Sequence, residues 1–295
     1  MKVSVCVIAY NHGRYLRECL QSIVDQVANF DFEIIVSDDA STDNTAAIAL
    51  EFKERYPTKF RLILRDKNVG GTENWINVHN SAVGEYVCQC DGDDCWLPGK
   101  LSAQTAFMEL NQDVIQTWHR QKVIDADSVE IDIFPSNHLF QYVALRKLTF
   151  EDLAHSYALV GQHSAQMYRR TARTYFYRDR PTIDYFYALN FAESGFSVHL
   201  PDILGCYRVV AGASITQQAG GRDIVDRALM DAAEHFAELY PRLGGIFRSN
   251  LIVRSMGARL KRRLYASDLG GGLSKYPFKL SAFVKALYIF IMSKV

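Results

Sequence analysis

Tyr86-Val87-Cys88-Gln89-Cys90-Asp91-Gly92-Asp93-Asp94 is a short apolar run that breaks into three carboxylates within four residues. Similar punctuation occurs three times upstream. Val3–Ala9 is followed by Tyr10-Asn11-His12-Gly13, residues 32–37 run into Asp38-Asp39, and Phe60–Leu64 leads to Asp66-Lys67-Asn68-Val69-Gly70-Gly71. Between these runs the apolar spacing predicts helices over 15–27, 45–56 (stopped by Pro57), 72–83 and 100–111. Short apolar strands separated by helices are the pattern of a parallel sheet covered on both faces, so the expected class is α/β. Residues 113–240 are less regular: strands are expected at 113–118, 123–124, 129–133 and 205–209, and helices at 169–177, 183–194 and 222–240. The chain from Pro241 onward reads as one or two basic helices broken near Gly270-Gly271-Gly272.

In an open parallel sheet the strand ends share one edge, and ligands bind there. Five or six carboxylates therefore gather on one rim, where like charges repel unless a cation or donor groups neutralise them. A hard divalent ion with a phosphate ligand suits such a rim, because Mg²⁺ or Mn²⁺ takes one or two carboxylates plus phosphate oxygens. Other phosphate machinery is missing. No Gly-x-Gly-x-x-Gly follows the first strand, no P-loop occurs, and the Asp91–Asp94 loop lacks the later Gly and Glu of a calcium-binding EF-hand.

The 295 residues are 48% hydrophobic and 12% aromatic, enough for a real core and contrary to a disordered or low-complexity chain. Net charge is zero, and nothing global marks a nucleic-acid binder. That balance hides an asymmetry: residues 241–295 hold 11 Lys or Arg against one acid, Asp268, whereas residues 1–240 carry a net of −10. Six cysteines are sparse for this length and read as reduced packing thiols in a cytoplasmic protein. The first strand is cut off by Asn11-His12-Gly13-Arg14 too early for a signal-peptide core, and no apolar run is long enough for a membrane-spanning helix.

Five elements in register resemble the family 2 glycosyltransferases. They are Val5-Cys6-Val7-Ile8-Ala9-Tyr10-Asn11, Glu33-Ile34-Ile35-Val36-Ser37-Asp38-Asp39-Ala40-Ser41-Thr42-Asp43, Asn68-Val69-Gly70-Gly71, Gly84-Glu85-Tyr86 leading to Asp91-Gly92-Asp93-Asp94, and Trp96-Leu97-Pro98-Gly99-Lys100-Leu101. The resemblance is strong over 1–105, fainter over 145–216 and absent beyond about 220. It implies a GT-A nucleotide-diphospho-sugar transferase fold, with a domain over 1–220 and a helical basic extension over 221–295. Residues 1–112 would bind the nucleotide-sugar and 113–220 the acceptor. It also implies an inverting transfer of a hexose from a nucleotide-diphospho-sugar, with UDP the expected nucleotide and Mn²⁺ or Mg²⁺ as cofactor.

Carried over residue by residue, Ala9, Tyr10 and Asn11 would line the uracil and ribose site. Asp39 would accept from the uracil ring, Asp38 would support that loop, and Asn68 would join the donor site. Asp91 would lie near ribose and diphosphate, with Asp93 the main metal ligand and Asp94 structural. The nucleophile, an acceptor hydroxyl, needs a general base on the opposite face of the sugar. The family places it at an Asp beginning a later helix, here Asp184 in Thr182-Ile183-Asp184-Tyr185, with Ile183 where relatives carry Glu. Asp179 and Asp202 are the fallbacks. Downstream, Cys206-Tyr207-Arg208 makes Arg208 a diphosphate ligand, and Val210 stands where many relatives have His. His163 either approaches the acceptor or is a hydrogen-bonded structural histidine. Trp96 offers either a sugar-stacking face or core packing.

The basic tail interleaves cations with apolar residues, as helices on anionic membrane surfaces do at about 1 kcal/mol per Lys or Arg; the alternative is a helix face packed on the acidic body. The acceptor class implied is a glycan or a polyprenyl-diphosphate-linked glycan, at the inner face of the cytoplasmic membrane. Two other function classes use the same residues: a metal-dependent phosphohydrolase or nucleotidyltransferase, and a non-catalytic sugar-nucleotide-binding module.

Overall fold

The computed structural model describes residues 1–173, 184–210, 221–260 and 272–294. Four parallel strands open the chain: β1 (Val3–Ala9), β2 (Phe32–Asp38), β3 (Phe60–Leu64) and β4 (Tyr86–Asp91), in the spatial order 3-2-1-4. β1 and β2 are almost wholly buried because helices cover both faces. On one face Val3, Val5 and Val7 pack with Leu16, Leu20 and Ile23 of α1 (Leu16–Val24), Ile48 and Phe52 of α2 (Thr45–Arg55) and Met108 of α4 (Lys100–Leu110). On the other face Cys6 meets Trp75, Ile76 and Val78 of α3 (Gly71–Ser81). The period-2 alternation of β1 thus divides the core in two.

Beyond β4 the sheet continues as β8 (Met167–Arg169), β6 (Val114–Ile124), β9 (Phe196–Arg208) and the two-residue β5 (Cys95–Trp96). β8 is antiparallel to both neighbours, β6 and β9 run parallel, and β7 (Glu130–Phe134) hairpins onto β6. The remaining helices are α5 (Asn137–Val143), α6 (Phe150–His155), α7 (Asp184–Ala192), α8 (Gly221–Leu239), α9 (Gly244–Leu260) and α10 (Leu280–Met292). Side chains of α3, α7, α8, α9 and α10 share one apolar cluster. Among the described residues, no helix is long and apolar enough to cross a membrane.

Three expectations change. The strands expected at 113–118 and 123–124 are one continuous strand, β6, which begins at Val114. The late strand at 205–209 is the end of the 13-residue β9, whose register against β6 slips between Trp118 and Arg120, opposite the Pro201-Asp202 interruption. The helix expected at 169–177 is, over its described part, the last residue of β8 and a 3-10 turn, Arg170–Ala172. There the Arg169 guanidinium donates to Val114 O at 3.0 Å and to Tyr86 Oη at 3.1 Å, so tertiary bonds override the local pattern. Residues 174–183, with the fallback base Asp179, lie outside the described residues. So do the Gly270-Gly271 part of the expected tail break and most of the run Arg259-Leu260-Lys261-Arg262-Arg263.

Candidate active site

Strand register builds the site. Asp38 lies opposite Ala9 and Asp91 opposite Ile8, so the loops after β1, β2 and β4 open side by side. The first two loops are laced together. Asn11, at φ +55°, donates its N–H to Ser41 Oγ at 2.8 Å and accepts from Thr42 N at 2.8 Å. The Ser41 hydroxyl in turn donates to Asp38, and Asp39 N donates to Ala9 O at 3.0 Å. The Asp39 carboxylate receives Val69 N on one oxygen and Gly70 N on the other, each at 2.9 Å. This clamp fixes the Asn68–Gly70 turn, where Gly70 sits at φ +88°, a conformation that suits glycine. Asn68 caps the same turn, accepting from Gly70 N at 3.0 Å. Tyr10 projects from the end of β1 and is 46% exposed.

The acid loop after β4 has a different character. Asp91 is fixed from inside: its Oδ1 accepts from Gln89 Nε2 at 2.7 Å, and its N–H donates to Ser164 Oγ at 2.9 Å. With Gln89 Nε2 donating, its Oε1 must accept from His79 Nε2 at 2.7 Å, leaving His79 Nδ1 to accept from Tyr168 Oη at 2.8 Å. Burial lowers the His79 pKa to about 3, which keeps this histidine neutral, as the relay requires. Asp94 accepts from Arg208 N at 2.7 Å. The Asp93 carboxylate has no hydrogen bond or ion pair among the described residues; only its backbone oxygen is engaged, by Arg208 Nε at 2.7 Å.

Burial pushes the Asp91 pKa up, and Asp93 and Asp184 add to the shift, opposed by His163 and the Gln89 hydrogen bond. Burial likewise raises Asp94 well above the carboxylate range, reinforced by Asp93 and Asp91. The Tyr207 hydroxyl is raised by burial and by Asp94, Asp184, Asp91 and Asp93, so it faces the same charge. Among the described residues no three His, Cys, Asp or Glu side chains are grouped to enclose a metal. Two crowded acids beside an unpartnered carboxylate do fit an ion that takes one or two protein ligands and completes its shell with phosphate and water. Asp93 and Asp91 are the residues that would hold it.

Across from this loop, Asp184 opens α7, and its Oδ1 lies 3.1 Å from His163 Nε2. The His163 ring stacks against Trp75 at 6.1 Å, and Trp75 itself lies between His79 and Tyr187, each at 3.8 Å. Burial raises the Tyr157 pKa, with Asp184 the next contributor, which sets that phenol on the same side. Asp202 is exposed in the interrupted middle of β9.

Two expected ligands are corrected. Arg208 does not face a donor: its side chain is 1% exposed and every part of the guanidinium is engaged. Besides the Asp93 carbonyl it donates to Asp125 O at 3.0 Å, Ser128 Oγ at 2.9 Å and Glu18 Oε2 at 2.7 Å, and it stacks on Tyr15. A buried cation needs partners of this kind, and the protein itself provides them. Trp96 is 3% exposed, donates from Nε1 to Ser164 O at 3.1 Å and carries the Lys100 ammonium 4.2 Å above its ring. It packs in the core beneath the acid loop, and no face is left for a sugar.

Sequence reasoning missed Gln89, His79, Tyr168, Ser164, Tyr207 and Glu18. Gln89 alone carried a signal, a polar side chain in the middle of an otherwise apolar strand. The six cysteines are buried and free, with Cys95 and Cys206 opposite each other on β5 and β9.

The family model described as glycosyl transferase family 2 matches residues 4–172. An uncharacterized protein of Mycobacterium tuberculosis is 34% identical over 211 residues, which cover 70% of this chain and 58% of that protein. This chain therefore spans little more than half the length of that relative. Among solved structures, S. aureus TarS 1-349 in complex with UDP-GlcNAc aligns at a TM-score of 0.68 with 20% identity, over 99% of this chain and 81% of the other. A mannosyltransferase of Pyrobaculum calidifontis in complex with GDP-Man and Mn²⁺ aligns at 0.51 with 17% identity, over 99% of this chain and 75% of that one. The GT-A architecture expected from the sequence is the architecture found, with a mostly parallel sheet between helices and a helical C-terminal region.

Proposed function

We propose, from the premise that this chain belongs to glycosyl transferase family 2, that it moves a hexose from a nucleotide-diphospho-sugar to a hydroxyl of a glycan or lipid-linked glycan, with inversion. The observation that carries this reading is that the acid loop sits beside the His163–Asp184 pair: Asp91 N donates to Ser164 Oγ at 2.9 Å, and His163, the residue before Ser164, lies 3.1 Å from Asp184. One end of such a site suits a diphosphate, and the other supplies a carboxylate for proton abstraction.

Ala9, Tyr10 and Asn11, braced by Ser41 and Asp38, line the nucleoside side of the site. Asp39 holds the Asn68–Gly70 turn and has lone pairs left for the base of the nucleotide. UDP is the preferred nucleotide, a choice supported by the UDP-GlcNAc complex of TarS. Mn²⁺ or Mg²⁺ on Asp93 and Asp91 would supply a Lewis acid to the departing diphosphate. Asp184 takes the proton of the acceptor hydroxyl as the new O–C1 bond forms and the bond from C1 to the phosphate oxygen breaks. His163 Nε2 lies 3.1 Å from that carboxylate, on its flank. Arg208 keeps the Asp93 loop in position without touching the substrate.

The test is a panel of nucleotide-sugars with Mn²⁺, read by thermal shift and by release of nucleoside diphosphate. Asp184→Asn is expected to lower turnover by about 10²–10⁴-fold while the donor-induced thermal shift persists. Normal turnover in that variant removes Asp184 from the role. Release of free phosphate or pyrophosphate instead of nucleoside diphosphate assigns the site to a phosphohydrolase or nucleotidyltransferase.

A further inference from the structure

Helix α10 has two apolar faces. Ala282, Ala286 and Ile289 point inward and are buried. Leu280, Val284, Tyr288 and Ile291 are 66, 56, 51 and 51% exposed. At 100° per residue these four fall within an arc of about 80°. Phe278, 46% exposed, extends the stripe just before the helix begins.

The single charged side chain within α10, Lys285, is turned away to Asp152 at 3.0 Å. Other cations flank the stripe: Lys275, in an exposed pair with Glu238 at 3.7 Å, and Lys279 precede the helix, and Lys294 follows it, all exposed. A contiguous apolar face of this kind on a protein surface marks a contact site. At 13 residues the helix is far shorter than the roughly 20 needed to cross a bilayer, so the stripe is suited to lying along a surface.

We propose that α10 docks on an anionic lipid bilayer, with Leu280, Val284, Tyr288 and Ile291 seated at the headgroup boundary and the flanking lysines on lipid phosphates. Charge decides between occupants. The described cations at the two ends of the stripe are Lys275, Lys279 and Lys294, so a second copy laid face to face would set two cationic rims against each other. An anionic surface meets the same rims with opposite charge. Nothing in this inference rests on the donor or the chemistry proposed above.

The experiment is cosedimentation of the full chain with vesicles of phosphatidylcholine alone or phosphatidylcholine with phosphatidylglycerol. At low salt, binding to the anionic vesicles should exceed binding to the neutral ones by about tenfold and fall as salt is raised. The variant Leu280→Ser/Val284→Ser/Ile291→Ser should lose most of that binding with little change in thermal unfolding, because these three side chains are exposed; Tyr288 is kept, since its ring packs edge-on against Tyr142 at 6.0 Å. Lys275→Gln/Lys279→Gln/Lys294→Gln should weaken binding and flatten the salt dependence. Equal sedimentation with both vesicle types, or full binding by the serine variant, overturns the proposal. A concentration-dependent dimer of the full chain that the serine variant abolishes also overturns it, and gives the face to a second copy.

Discussion

Two acidic strand ends, one of two carboxylates and one of three, face the same rim under opposite conditions. Asp38 and Asp39 at the end of β2 receive donors: Ser41 on one carboxylate, and Val69 and Gly70 on the other. Asp91, Asp93 and Asp94 after β4 have fewer donors than oxygens, and burial and mutual repulsion raise Asp91 and Asp94. The first group spends its charge on holding two loops in shape. The second leaves charge unmet, and unmet charge is what a ligand can use.

The largest effect should separate the groups by activity. Asp93→Asn is expected to cut metal-dependent turnover by about 10²–10³-fold, a typical loss for removing a group that stabilises transition-state charge. The same variant should raise the melting temperature of metal-free protein, because it removes a like charge from beside Asp91 and Asp94. Initial rates and scanning calorimetry on one preparation check both halves, and a melting temperature that falls breaks the contrast.

Asp39→Asn should act mainly through the fold. One amide N–H would then face a backbone N–H, and a charge-assisted bond is lost, at about 1.5–3 kcal/mol. Urea unfolding measures it; a smaller loss than for Asp94→Asn would place the structural weight on the other loop.

The smallest effect is a difference in pH dependence. The fold favours protonated Asp91 and Asp94, so their stabilising contribution is full below the ordinary carboxylate range and is lost as pH rises through their raised values. Four histidines, His79, His119, His155 and His199, act in the opposite sense. Burial lowers them, and their contribution is present above the usual imidazole value and lost on acidification. Subtracting the metal-free wild-type melting profile from that of Asp94→Asn cancels the histidines. The variant's advantage should shrink as pH falls toward the ordinary carboxylate range and grow as pH rises above it. A flat difference would remove Asp94 from the set of strained acids.

β1 is legible to the residue because a strand buried in a parallel sheet is an unbroken apolar run, whereas β3, an edge strand that carries the exposed Arg61, is legible from the turn residues on either side. β9 is not, because Pro201 and Asp202 interrupt it and the register slip that absorbs them exists only against β6. The acids of the site are legible for a related reason: in this topology, being last in a strand means being on the rim. The work of Arg208 is not, since its partners come from α1, the acid loop and the β6–β7 turn, 80 residues or more away in each case. Nor does the sequence announce that His163 meets Asp184, a contact between a 3-10 turn and the start of a helix.

The guanidinium of Arg208 reaches two carbonyls, a hydroxyl and a carboxylate at once, which only a planar fork with several N–H groups can do. An ammonium on a lysine stem would satisfy one or two of them and strand the others. Position 208 is therefore closed to the commonest conservative exchange, and drift at Glu18, Ser128 or the turn at Asp125 is constrained by a residue that none of them adjoins in the chain.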